Sequence, residues 1–131
     1  MIHNGQLSLA AATPDEPVDY DDLLARCMDN QDLAQRILAR FEQTFGDDLN
    51  SFCKAVGDQD ADQMARLAHR LKGASANVSA TKLFGVLTEL ESLVRSSRQD
   101  DLTELMGDLQ NEWARFKLGS PLKRRHATAV D

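Results

Sequence analysis

The sequence predicts an all-α protein, an antiparallel up-and-down four-helix bundle with a short additional N-terminal helix. Three observations lead there. Apolar residues recur at helical spacing over four long segments, and no segment alternates apolar and polar residues with a period of two. The connections between these segments are only a few residues long, which favours antiparallel neighbours.

The elements follow in order. Asp19 has the carboxylate of a helix N-cap, and "DYDDLLARCM" places Tyr20, Leu23, Leu24 and Cys27 on one face of a short helix. "DNQD" breaks that helix and caps the next. From Leu33 the apolar positions 33, 37, 38, 41, 45, 49, 52 and 56 keep one phase across Gly46. They predict one helix of about 26 residues, roughly 39 Å long, ended by Gly57 as a C-cap. A third helix starts near Asp60, with Met64, Leu67, Leu71, Ala74 and Val78 facing the core. A fourth follows Ser79, read as its N-cap, and buries Leu83, Val86, Leu87, Leu90 and Val94. The fifth begins near Asp100 or Asp101 and carries Leu102, Leu105, Met106, Leu109, Trp113 and Phe116, until Gly119 and Pro121 stop it. Residues 1–18 read as a flexible N-terminal leader, 19–118 as the helical bundle and 119–131 as a flexible C-terminal tail.

Composition narrows the function. A chain of 131 residues suits one domain with a single core. The net charge of −6 argues against nucleic acid as the main ligand, and "KRRH" at 123–126 reads as a solvated tail. No apolar run approaches the ~20 residues that span a bilayer, and the N-terminus lacks the pattern of a signal peptide, so a cytoplasmic protein is expected. Cys27 and Cys53 form no metal-ligand spacing, and Cys53 falls on an apolar stripe beside Phe52 and Val56.

Most catalytic patterns are missing. The chain has no glycine-rich phosphate loop, no HExxH and no nucleophile–base–orienter triad, and no metal site is expected. His3 and His126 lie in the tails, which leaves His69. On a helical wheel Leu67 and Leu71 sit roughly 160° from it on either side, so its ring points away from the core stripe. Ala65 and Gly73, at i±4, leave a notch through which a second protein could approach. Gly73 costs the helix roughly 1 kcal/mol relative to alanine without an evident folding benefit. Arg66 and Lys72, at i±3, put positive charge within reach of an anion held on the imidazole. A free imidazole is mostly neutral at pH 7, and its unprotonated nitrogen can attack phosphorus. Lys72 could pair with the charge of the resulting phosphoramidate, and phosphoryl transfer depends mainly on positioning and electrostatics.

"AHRLKGASANVSA" resembles the histidine-containing phosphotransfer (HPt) domain of bacterial two-component phosphorelays, whose pattern is roughly H-x-L-K-G followed by small residues. The resemblance extends over about residues 19–117. It implies that His69 is the phosphoacceptor, that Lys72 steadies the phosphoryl group, and that Gly73 admits the partner. The family often has glycine ten residues after the histidine, where this chain has Ser79. The implied function is a phosphocarrier moving a phosphoryl group between receiver-domain aspartates and His69. Its partners would be response-regulator receiver domains or a hybrid sensor kinase, and the chain would be a monomer. The divalent metal is expected on the receiver, so this chain needs no cofactor, and lacking an ATP-binding domain it is not expected to be a kinase. A different class of function competes: a helical adaptor that binds a receiver or kinase without carrying phosphate.

Overall fold

A computed structural model describes residues 16–96 and 99–119. Five helices and no strand are present among them: α1 (Tyr20–Arg26), α2 (Gln31–Gly57), α3 (Ala61–Asn77), α4 (Thr81–Ser96) and α5 (Gln99–Gly119). The predicted leader lies mostly outside the described residues. Glu16, Pro17 and Val18 are the exceptions, and Val18 is 2% exposed in the core, so packing starts before the predicted boundary. Residues 120–131, including Pro121, His126 and the basic cluster, also lie outside, as does His3.

Local chemistry sets the helix ends. Asp19, Asn30 and Asp60 each accept a hydrogen bond from the backbone N–H three residues on, at 3.1, 3.0 and 3.2 Å. The C-terminal ends of α1, α2 and α3 close with backbone bonds from Asp29, Asp60 and Ala80 to the carbonyls five residues earlier, at 2.8, 2.9 and 2.9 Å. Such a closure needs a residue in the left-handed region, usually glycine. Here those residues are Met28 and Asp29, Gln59 and Ser79, with φ between 56° and 62°. Two sequence expectations change as a result. Gly57 is the last residue of α2 rather than its left-handed cap, a place Gln59 takes. Ser79 does not cap α4, because its backbone makes the left-handed turn and its hydroxyl donates to Asp22 Oδ2 at 2.6 Å.

The long helices pack in sequence, α2 on α3, α3 on α4 and α4 on α5. α2, of 27 residues, is about 40 Å long. An aromatic cluster joins α2 to α5: Trp113 stacks on Phe45 at 4.5 Å and on Phe116 at 5.3 Å, and Phe41 lies 5.2 Å from Phe116. Such pairs each add about 0.5–1.5 kcal/mol beyond the area they bury. The predicted stripes are largely buried, with adjustments at their margins. In α2 Ala34 and Ala55 are buried, while Leu33 is 37% exposed. Tyr20, Leu24, Ile37, Val56, Ala74, Val86, Leu105 and Met106 are half-buried at the rim of the core. Cys27 is buried and Cys53 half-buried, and both are free thiols. No described helix is long and apolar enough to cross a membrane.

Candidate functional site

α3 reaches the core through Leu67, Ala68 and Leu71, which turns residue 69 outward. The His69 side chain is 72% exposed. Its orientation is held from both sides of the helix. On the α2 side, Arg70 makes a two-pronged contact with Asp48, Nε to Oδ2 at 3.1 Å and NH2 to Oδ1 at 3.0 Å. On the α4 side, Lys72 Nζ lies 2.8 Å from Glu91 Oε1. Turning α3 about its axis would break both.

Glu91 is the residue that sequence reading missed. It is 6% exposed, one of three buried polar or charged residues among those described. Its carboxylate gathers three partners: Lys72 on Oε1, and on Oε2 both Arg95 NH2 at 3.0 Å and His69 Nδ1 at 3.1 Å. The Lys72 hydrogen bond, joined by that from His69 and the charges of Lys72 and Arg95, holds the Glu91 carboxyl below its usual range, against the opposing effect of burial. An ionised carboxylate can only accept, so in the neutral ring the His69 proton belongs on Nδ1. The lone pair of Nε2 then points to solvent. Two cations against one carboxylate leave the cluster with a net positive charge, a suitable field for an incoming anion.

The other predicted residues separate into two groups. Lys72 joins the cluster. Arg66 stays outside it and donates to Gln63 Oε1. The reason is angular: Arg66 and Lys72 flank His69 on opposite sides, about 120° apart around α3, and only the Lys72 side faces α4. Arg95, not anticipated, occupies the position that Arg66 could not reach. Gly73 is exposed, and a Cβ there would meet nothing within 4 Å. No contact inside the fold therefore requires a glycine. Ala65 is half-buried and packs against the core, so it contributes less to the notch than Gly73 does.

Among the described residues no group of three or more His, Cys, Asp or Glu side chains could hold a metal ion. Glu91 was hidden because it sits at the edge of the α4 stripe, four residues from Leu87, where a sequence alone cannot say which helix lies opposite. The Glu91–Arg95 spacing was legible, but an i,i+4 pair of that kind most often lies on a solvated face.

The family model described as Hpt domain matches residues 36–118. Comparison with curated proteins gave no match, and neither did comparison with solved structures. The matched span exceeds half of the chain and includes α3 and α4 whole, with the imidazole, both cations and the carboxylate that ties them together. On that match, this chain belongs to the Hpt domain family.

Proposed function

We propose that the chain is a histidine phosphocarrier that exchanges a phosphoryl group between receiver-domain aspartates and Nε2 of His69. The observation that carries this reading is the Nδ1 contact with Glu91, which in the neutral ring makes Nε2 the unprotonated nitrogen, on a side chain 72% exposed. In the forward step the Nε2 lone pair attacks the phosphorus of an aspartyl phosphate. A P–N bond forms, the P–O bond to the aspartate breaks, and the aspartate leaves as a carboxylate. Positive charge developing on the ring is balanced through Nδ1–H by Glu91, which is preorganised before the partner arrives. The reverse step follows the same path.

Lys72 and Arg95 reach the phosphoryl oxygens by leaving Glu91, exchanging one anionic acceptor for another at little cost in solvation. Arg66 adds positive charge at longer range. Gly73, with Ala65 beside it, leaves room for the receiver's backbone. The four long helices serve as a stiff frame, and three-residue connections between α2 and α3 and between α3 and α4 favour an antiparallel up-and-down arrangement. The receiver supplies the divalent metal, and this chain acts as a cytoplasmic monomer without autokinase activity.

The test is transfer of label from phosphorylated receivers of the same cell. The wild-type chain should gain an acid-labile phosphate, and His69→Gln should gain none while changing stability by no more than about 0.5 kcal/mol, as for an exposed residue. A wild-type chain that binds receivers and stays unlabelled by all of them would instead be an adaptor.

A further inference from the structure

An open groove of about 390 Å3 runs along the seam between α4 and α5. Its floor is Leu93 and Leu105, both half-buried, and its walls carry Glu89, Asp101, Glu104 and Asp108. Glu89, Glu104 and Asp108 are exposed, and no ion pair among the described residues engages them. Like charges gathered along one seam repel each other, and the apolar floor between them gains from being covered. Both effects favour an occupant that is basic and partly apolar.

One turn beyond Asp108, on the same side of α5, lies Glu112. Its Oε1 is buried without a hydrogen-bond partner among the described residues, and its Oε2 reaches Arg115 NH1 at 3.5 Å. A buried carboxylate oxygen that lacks a donor is costly and asks for an explanation. Leu105, Asp108 and Glu112 lie within about 60° of one another around α5, so the groove and this oxygen form one line leading towards Gly119.

The sequence beyond α5 supplies a match. "SPLKRRHATAV", residues 120–130, sets Lys123, Arg124 and Arg125 among Leu122, Ala127 and Val130. Pro121 does not continue a helix. Along the α5 axis Glu112, Asp108 and Glu104 lie roughly 10, 16 and 22 Å from Gly119. An extended chain advances ~3.3 Å per residue, which carries Lys123 to Arg125 about 13–20 Å from the same point. The three cations thus span the distances of the carboxylates. The leader is the other segment near this end, because a Cβ on Gly119 would lie 3.6 Å from Pro17. Its nearest residues, Asp15 and Glu16, are acidic, and residues 1–14 hold no lysine or arginine. Charge favours the tail.

We propose that residues 121–127 fold back along the α4–α5 groove, with Lys123, Arg124 and Arg125 on the carboxylates of Glu112, Asp108, Glu104 and Glu89. The tail is then more than the solvated segment its composition suggests. It neutralises the acidic seam, gives Glu112 a donor, and keeps a basic run away from the α3–α4 face that carries His69. None of this depends on phosphotransfer.

Trypsin tests the placement on the intact chain. It cuts after Lys123, Arg124 and Arg125 when the tail is free of the groove, so the cleavage rate reads the open population. A synthetic peptide of residues 119–131 is the reference, and mass spectrometry follows both. At about 0.01 M salt, where charges act over about 30 Å, the chain should lose its tail about tenfold more slowly than the peptide is cut. At about 1 M salt, where that range falls to about 3 Å, the rates should agree within twofold. Glu89→Gln, Glu104→Gln and Asp108→Asn together should abolish the protection. A second variant leaves the bundle untouched: Arg124→Gln with Arg125→Gln should shift the backbone amide resonances of Leu93, Leu105 and Asp108, and leave those of Leu49 and Phe52 in α2 unmoved. Cleavage at the peptide's rate in low salt overturns the proposal. So does protection that survives the neutralised groove, which places the tail elsewhere, or protection that grows with chain concentration, which seats it on a second copy. Tail substitutions that leave Leu93 and Leu105 unshifted overturn it independently.

Discussion

Gly73 and Gly46 both lie inside helices, and comparing them isolates what Gly73 is for. A Cβ on Gly73 would meet nothing within 4 Å, and a Cβ on Gly46 would lie 3.8 Å from Trp113 Cζ2, an ordinary contact. Neither has a positive φ. Gly→Ala at either site should therefore stabilise the helix by about 0.8–1 kcal/mol, or roughly 3–5 °C in Tm for a domain of this size. The two substitutions should differ in function. Gly46 faces α5, whereas Gly73 lies one turn from His69, on the surface that a receiver would cover in the proposed exchange. A methyl group forced into a close interface costs about 1–3 kcal/mol, so Gly73→Ala should lower kcat/KM for phosphotransfer roughly five- to 150-fold. Gly46→Ala should leave it unchanged. Thermal unfolding by circular dichroism and transfer from one phosphorylated receiver measure both quantities. Equal transfer rates for the two variants would refute the access role of Gly73. A lower Tm for Gly73→Ala would refute the open surroundings of that position.

Three further outcomes follow from the contacts of the site and the turns. Glu91→Gln leaves an acceptor for Nδ1–H but removes the compensating charge, and should slow transfer about tenfold, some 1.4 kcal/mol. Because the Glu91 carboxyl is held below its unfolded value of about 4.3, its contribution to stability is complete above that pH and is lost as pH falls through the folded value. The Glu91→Gln chain should accordingly lose less stability than the parent when unfolding by urea is compared at pH 5 and pH 3. Lys72→Ala removes a charged hydrogen-bond donor worth about 1.5–3 kcal/mol, so phosphohistidine lifetime or transfer rate should fall roughly ten- to hundredfold without loss of labelling. Ser79→Ala keeps the left-handed backbone and loses the bond to Asp22, while Ser79→Gly loses the bond and relieves the backbone. Urea titration should therefore find Ser79→Gly more stable than Ser79→Ala by about 1–2 kcal/mol.

The turn at Ser79 also shows where sequence reasoning met its limit. Serine before a helix is an ordinary N-cap, and nothing local distinguished that role from a left-handed turn braced by a residue 57 positions earlier. The glycine common at this place in the family now has a physical account, since φ is 59° there. The same holds for Gly57, whose expected capping role passed to Gln59 because the closing hydrogen bond runs from Asp60 to Ala55. Helix interiors were legible because burial imposes a period on the residues. Helix ends depend on one or two dihedral angles that several residue types can adopt.

What the sequence by itself determined was the set of helices and the outward direction of His69. Both are consequences of periodicity: Leu67 and Leu71 must be buried, and one rigid helix cannot bury them and residue 69 together. Only the tertiary structure decided the electrostatics of the imidazole. Glu91 is 22 residues from His69 along the chain, and it meets Nδ1 because α4 packs on the Lys72 side of α3. That packing brought in Arg95 and left out Arg66, although both are single arginines near the site in helical register. A charge pair across a helix seam depends on which face meets which, and that follows from packing the whole core.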